Sequence, residues 1–121
     1  MTQISTRHEK IARDFAAVAD RVTKWAAPTP VPEWVAGDIV EHLLTWFPAV
    51  LESWGGPTLK DIPSRGLAER WRLRTVEVQS LLDDRDLAGT VIESGDFAGM
   101  RLDEAVDRLY TGDIFMHTWD L

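Results

Sequence analysis

The chain has no cysteine. That excludes disulfides, cysteine-based zinc ribbons and a thiol nucleophile of its own, and it is compatible with a reducing compartment. No stretch approaches the ~20 consecutive apolar residues that a membrane-spanning helix needs. The N-terminal residues carry Arg7, His8, Glu9, Lys10, Arg13 and Asp14, so no apolar signal segment can be drawn through them. The expectation is a cytoplasmic protein with no membrane partner. Positive charge is also scarce: 13 lysines and arginines face 20 acids, for a net charge of −7. Backbone binding to nucleic acid rests on basic side chains neutralising phosphates, so no nucleic-acid partner is expected. Arg65, Arg70, Arg72 and Arg74 cluster, but Glu69 and Glu77 are interleaved with them, and the group reads as a solvated helix face. No Ser-His-Asp arrangement, internal repeat or low-complexity segment is present. The stretch Gly95-Asp-Phe-Ala-Gly99 lacks the lysine and helix start of a phosphate loop.

What is present suits one small domain over residues 1–121. The hydrophobic fraction of 45% can fill a single core, and six tryptophans supply large side chains for helix interfaces. Four segments have helical periodicity. Ile11, Phe15, Val18, Val22 and Trp25 lay one apolar stripe along a helix expected from Ser5 to Trp25, ahead of the stiff Pro28–Pro32 connector. A second helix is expected from Asp38 to Trp54, with Asp38 as N-cap and Glu41 completing a capping-box pattern. Pro48 lies inside it and predicts a kink or break near Thr45–Trp46. A third covers Ser64 to Asp84, with Leu67, Trp71, Val78, Leu81 and Leu82 facing inward. After a looser stretch, in which Thr90-Val91-Ile92 reads as a short strand, the last helix begins near Leu102. The pattern predicts an all-α, four-helix bundle with at most a short strand or hairpin before the last helix.

Asp113 and His117 stand at i and i+4 of that last helix, which places both side chains on one face. His42, one turn into the second helix, lies where a bundle neighbour can bring it opposite the pair. One carboxylate and two imidazoles suit zinc, nickel or iron and leave room for water or substrate. The same i, i+4 pair also occurs as an ordinary surface hydrogen bond.

Three stretches resemble the mycothiol-dependent maleylpyruvate isomerase metal-binding domain, within the wider DinB-like superfamily of helical bundles. They are Trp34-Val-Ala-Gly-Asp38-Ile-Val-Glu-His42-Leu43, Gly99-Met100-Arg-Leu102 followed by Ala105, and Asp113-Ile-Phe-Met-His117-Thr-Trp119-Asp120-Leu121. The resemblance implies a DinB-like four-helix bundle holding a divalent metal between helices on His42, Asp113 and His117, with Asp113 where members often have glutamate. It further implies a low-molecular-weight thiol such as mycothiol as cofactor. The activity implied is S-transfer to, or isomerisation of, a small electrophilic substrate. Relatives continue beyond the His-x-Trp-Asp-Leu motif, so the C-terminal part of the family domain is expected to be absent here. The competing reading is a non-catalytic binding or dimerisation module with an empty or structural site.

Other residues read more plainly. His8 is expected on the surface. Trp34, Trp46, Trp54, Trp71 and Trp119 are expected to fill core and interfaces. Asp120 is either a hydrogen-bond partner for an imidazole or an ordinary surface acid, and Gly112 either permits a close approach or is merely tolerated. Leu109, Ile114 and Met116 have few later residues to cover them, which predicts a homodimer.

Overall fold

The computed structural model describes residues 2–62 and 66–121. The expected helix start at Ser64 and the clustered Arg65 fall outside the described residues. The protein is all-α: α1 (Gln3–Ala19), α2 (Ala36–Thr45), α3 (Phe47–Ser53), α4 (Leu67–Asp83), the single turn α5 (Arg85–Ala88), α6 (Leu102–Ala105), a π-helical segment (Val106–Thr111) and α7 (Gly112–Thr118). The last three form one continuous rod. Among the described residues no strand forms. The Thr90–Ile92 stretch makes only an isolated antiparallel bridge between Val91 and Arg101, clamped by Ile92 N–H to Met100 O at 2.9 Å and Leu102 N–H to Thr90 O at 2.7 Å. No described helix is long and apolar enough to cross a membrane.

α1 packs against α4 and α7, and α2 against the same two helices. α1 opens on a capping box in which Thr2 and Ser5 exchange hydrogen bonds between hydroxyl and backbone N–H. It ends at Ala19, six residues short of the expected Trp25. The carbonyls of Trp25 and Ala27 instead accept the N–H groups of Gly37 (2.8 Å) and Ala36 (2.9 Å), the free donors at the start of α2. A Cβ on Gly37 would sit 3.4 Å from the Trp25 carbonyl and 3.3 Å from Leu67, so glycine keeps that approach open. The same bonds move the start of α2 ahead of Asp38. Val35 is the N-cap, and Asp38 sits in the first turn with its carboxylate accepting the Val35 N–H at 2.9 Å. Glu41 takes no part in capping and pairs with Arg70 at 2.5 Å.

The buried face of α1 is Ser5, His8, Ala12, Phe15 and Ala19, rotated from the stripe that periodicity picks out. Small Ala12 lets α4 approach closely. Trp71 donates its indole N–H to the Ala12 carbonyl at 3.3 Å, and its ring lies 4.5 Å from that of Phe15. Phe47 stacks on Tyr110 at 3.9 Å, beside Ile39, Leu43, Leu51 and Ile114, all fully buried. Removing such an aromatic ring from a packed core costs about 3–5 kcal/mol. Of the described arginines in the cluster, only Arg72 lies on a solvated face. Arg74 is buried and donates to the Lys60 carbonyl at 2.8 Å, Arg70 holds Glu41, and Arg72 pairs with Asp20. Trp71 and Trp54 are core residues as expected, whereas Trp119 is 78% exposed.

His8 is also displaced from its expected place: it is fully buried. Its Nδ1 lies 2.7 Å from Gln79 Oε1, while Gln79 Nε2 donates to the Ser5 carbonyl at 3.0 Å. That fixes the amide orientation, so Nδ1 carries the proton and the buried Nε2 is left without a partner. Burial lowers the His8 pKa below its ordinary 6.5, against the smaller opposing effects of Gln79 and Asp83. The unfolded chain therefore takes up the proton more readily than the folded one. Stability from His8 is complete above pH 6.5 and drains as pH falls toward the native value, at up to about 1.4 kcal/mol per pH unit. Urea unfolding at pH 7.5 and pH 5.5 should show a larger loss for the wild type than for His8→Gln, which carries no titrating ring. An equal loss in both proteins would remove His8 from the acid response.

Candidate metal centre

Two helices meet at one carboxylate. α2 runs until Pro48, which has no N–H to continue the ladder, so it closes at Thr45 and α3 restarts at Phe47. His42 lies in the last turn of α2, and Trp46 occupies the break, one turn beyond it on the same face. From the other side comes the last rod. Its π-helical segment accommodates an extra residue, which turns the face of α7 by about 100° relative to an uninterrupted α-helix. The turn delivers Asp113 and His117 to the side facing α2. Gly112 is not required by a close approach, since a Cβ there would meet nothing nearer than the Asp107 carbonyl at 3.9 Å.

All three residues picked out by spacing come together. His42, Asp113 and His117 each offer a ligand atom, and these atoms lie within 4.8 Å of one another. His42 Nε2 is 3.0 Å from Asp113 Oδ2, and His117 Nε2 is 3.3 Å from Asp113 Oδ1. The two imidazole rings meet edge to face at 5.2 Å. His117 is nearly buried and His42 half-buried, so the group is reachable from the His42 side. Such a group can hold a metal ion.

Asp120 settles one of its two sequence readings. Its Oδ2 lies 2.8 Å from His117 Nδ1, so it is the imidazole's hydrogen-bond partner. A neutral imidazole has one N–H. When His117 donates that N–H to Asp120 from Nδ1, its Nε2 presents a lone pair toward the Asp113 carboxylate. That Nε2 lies 3.3 Å from Asp113 Oδ1, and the donor set of two imidazoles and one carboxylate fits a divalent ion.

Two residues of the site were not legible in the sequence as such. Trp46 donates its indole N–H to Asp113 Oδ2 at 3.1 Å. Trp34 lies over both imidazoles, with ring centroids 5.1 Å from His42 and 6.1 Å from His117. Both read as core fillers from composition. The available signal was the spacing of Trp46 four residues after His42.

Losing an imidazole's hydrogen-bond partner typically lowers metal affinity about 10- to 100-fold. If the group holds a divalent ion, Asp120→Ala should weaken that binding by this factor in a chelator competition, with helicity unchanged. Undiminished affinity would show that Asp120 does not hold His117 in its ligating tautomer. Compared with protein-family models, curated proteins and solved structures, the chain matches none of them, so the reading of this centre rests on its own residues.

Proposed function

We propose that this chain is a divalent-metal-binding protein of the DinB-like type, acting with a low-molecular-weight thiol of the mycothiol kind in S-transfer or isomerisation of a small electrophile. The observation that carries the metal half of this reading is the convergence of three ligand atoms, from two helices, within 4.8 Å. Zinc is favoured because two imidazoles and one carboxylate make a three-ligand set that leaves a fourth position open. His42, Asp113 and His117 would hold the ion. When bound, it supplies Lewis-acid chemistry that lowers a coordinated thiol's pKa and keeps the sulfur as thiolate. The protein's own contribution is to orient and shield. Asp120 orients His117, Trp46 holds Asp113, and Trp34 packs against the rings of His42 and His117. The thiol half of the reading rests on the resemblance of the His42 and Asp113–Leu121 motifs.

A second reading, a non-catalytic dimerisation module, is favoured by one observation. Phe115, Met116 and Trp119 on the last rod are 53%, 60% and 78% exposed. Ile114 does not belong to that surface, because it is fully buried. A homodimer that covers these side chains is compatible with both readings.

Protein purified without a histidine tag should carry close to one equivalent of zinc or another divalent metal. His42→Ala and His117→Ala should lose it while keeping the helical circular-dichroism spectrum. A wild-type protein that takes up no metal even after soaking would sink the reading. In the cobalt-substituted protein, a low-molecular-weight thiol should add a sulfur-to-metal charge-transfer band; its absence would remove the thiol and leave the metal. Sedimentation at micromolar concentration should give a dimer, and a clean monomer would contradict the assembly.

A further inference from the structure

We propose that Trp46 is a positioning residue for the metal centre: its indole N–H occupies one oxygen of Asp113 and so leaves the other to coordinate the ion singly. The inference rests on the metal reading above. Asp113 Oδ2 has two nitrogen neighbours, His42 Nε2 at 3.0 Å and Trp46 Nε1 at 3.1 Å. The two differ in kind. An imidazole nitrogen is a donor or an acceptor according to tautomer, and to ligate an ion His42 Nε2 must present its lone pair. An indole nitrogen is a donor only and keeps its proton. With an ion bound, Trp46 is therefore the remaining ring donor on Oδ2, and Oδ1, on the His117 side, is the oxygen free to ligate.

The ring is held for this task. It packs edge-on against Phe47 at 5.7 Å and Tyr110 at 5.8 Å, with His42 at 6.1 Å. It also sits at the break between α2 and α3 that Pro48 imposes, where its backbone N–H donates to the His42 carbonyl at 3.2 Å and ties its place to that of the ligand. A carboxylate with one oxygen tied down binds an ion through the other and occupies one coordination position instead of two. The open position on which the proposed chemistry depends is thus kept by a tryptophan outside the ligand set.

Trp46→Phe keeps one aromatic ring at the position and removes the N–H. In a chelator competition its zinc affinity should fall about 10- to 100-fold relative to the wild type. The visible bands of its cobalt form should weaken and shift, as expected for a higher coordination number when Asp113 binds through both oxygens. Affinity within a factor of two and an identical cobalt spectrum would overturn the proposal. A wild type that binds no zinc would instead overturn the metal reading, which keeps the two failures apart. Should Trp46→Phe not fold, the indole ¹⁵N–¹H resonance of Trp46 in the zinc-loaded wild type decides. A downfield, slowly exchanging proton supports the hydrogen bond. One that exchanges as freely as that of exposed Trp119 contradicts it.

Discussion

The carboxylate of Asp113 faces three ring nitrogens. His42 and Trp46 meet one oxygen, at 3.0 and 3.1 Å, and His117 meets the other at 3.3 Å. Each comes from a different local constraint. His42 stands in the last turn of α2, Trp46 in the break that Pro48 forces, and His117 one turn along the same helix as the acid. Turning α7 by one residue would point Asp113 away from α2 and dissolve the group. The π-helical segment just before it is what sets that phase, and irregular turns of this kind often mark functional positions in helices. Most of the unusual features of the chain are gathered here: the proline beside a helix break, the widened turn, a tryptophan donating to a carboxylate and three acids or imidazoles in contact.

The rest of the bundle is organised to hold that meeting point still. Phe47, next to Trp46, stacks on Tyr110, three residues before Asp113. One aromatic pair thus joins α3 to the π-helical segment beneath the polar group. Tyr110 is fully buried, and desolvation raises its pKa above the ordinary value, so it stays neutral beside the charged cluster. On the far side, α1 closes the core with Phe15 against Trp71 and with the His8–Gln79 hydrogen bond. Fold and site are therefore coupled through packing, while the core itself is built without any metal-ligating side chain. An ion held by the proposed site would therefore not be needed to keep the helices in place.

Much of this was legible in the sequence, for identifiable reasons. The i, i+4 spacing of Asp113 and His117 is a local property of a helix, and so is the effect of Pro48, and both read correctly. The all-α class followed from the periodicity of the apolar residues. What did not read was non-local. α1 ends early because the Trp25 and Ala27 carbonyls serve α2, and the same bonds move Asp38 from the cap into the first turn. His8 looked like a surface residue because its partner, Gln79, lies 71 positions away. Arg74 appeared solvated because the carbonyl it satisfies belongs to the loop before α4. Trp34 and Trp46 resembled core filler because indole chemistry shows only once an acceptor or another ring stands beside it.

What this centre does depends on whether the two imidazoles and one carboxylate bind a single ion together. X-ray absorption at the zinc edge of the zinc-loaded wild-type protein tests this most directly, because it reads the ligand atoms rather than the stoichiometry. A first shell of nitrogen and oxygen at about 2.0–2.2 Å, with the outer scattering of two imidazoles, is the predicted result. A shell of oxygen alone, or one without the signature of two imidazoles, would show that the ion sits elsewhere and that this meeting of side chains is an ordinary polar contact.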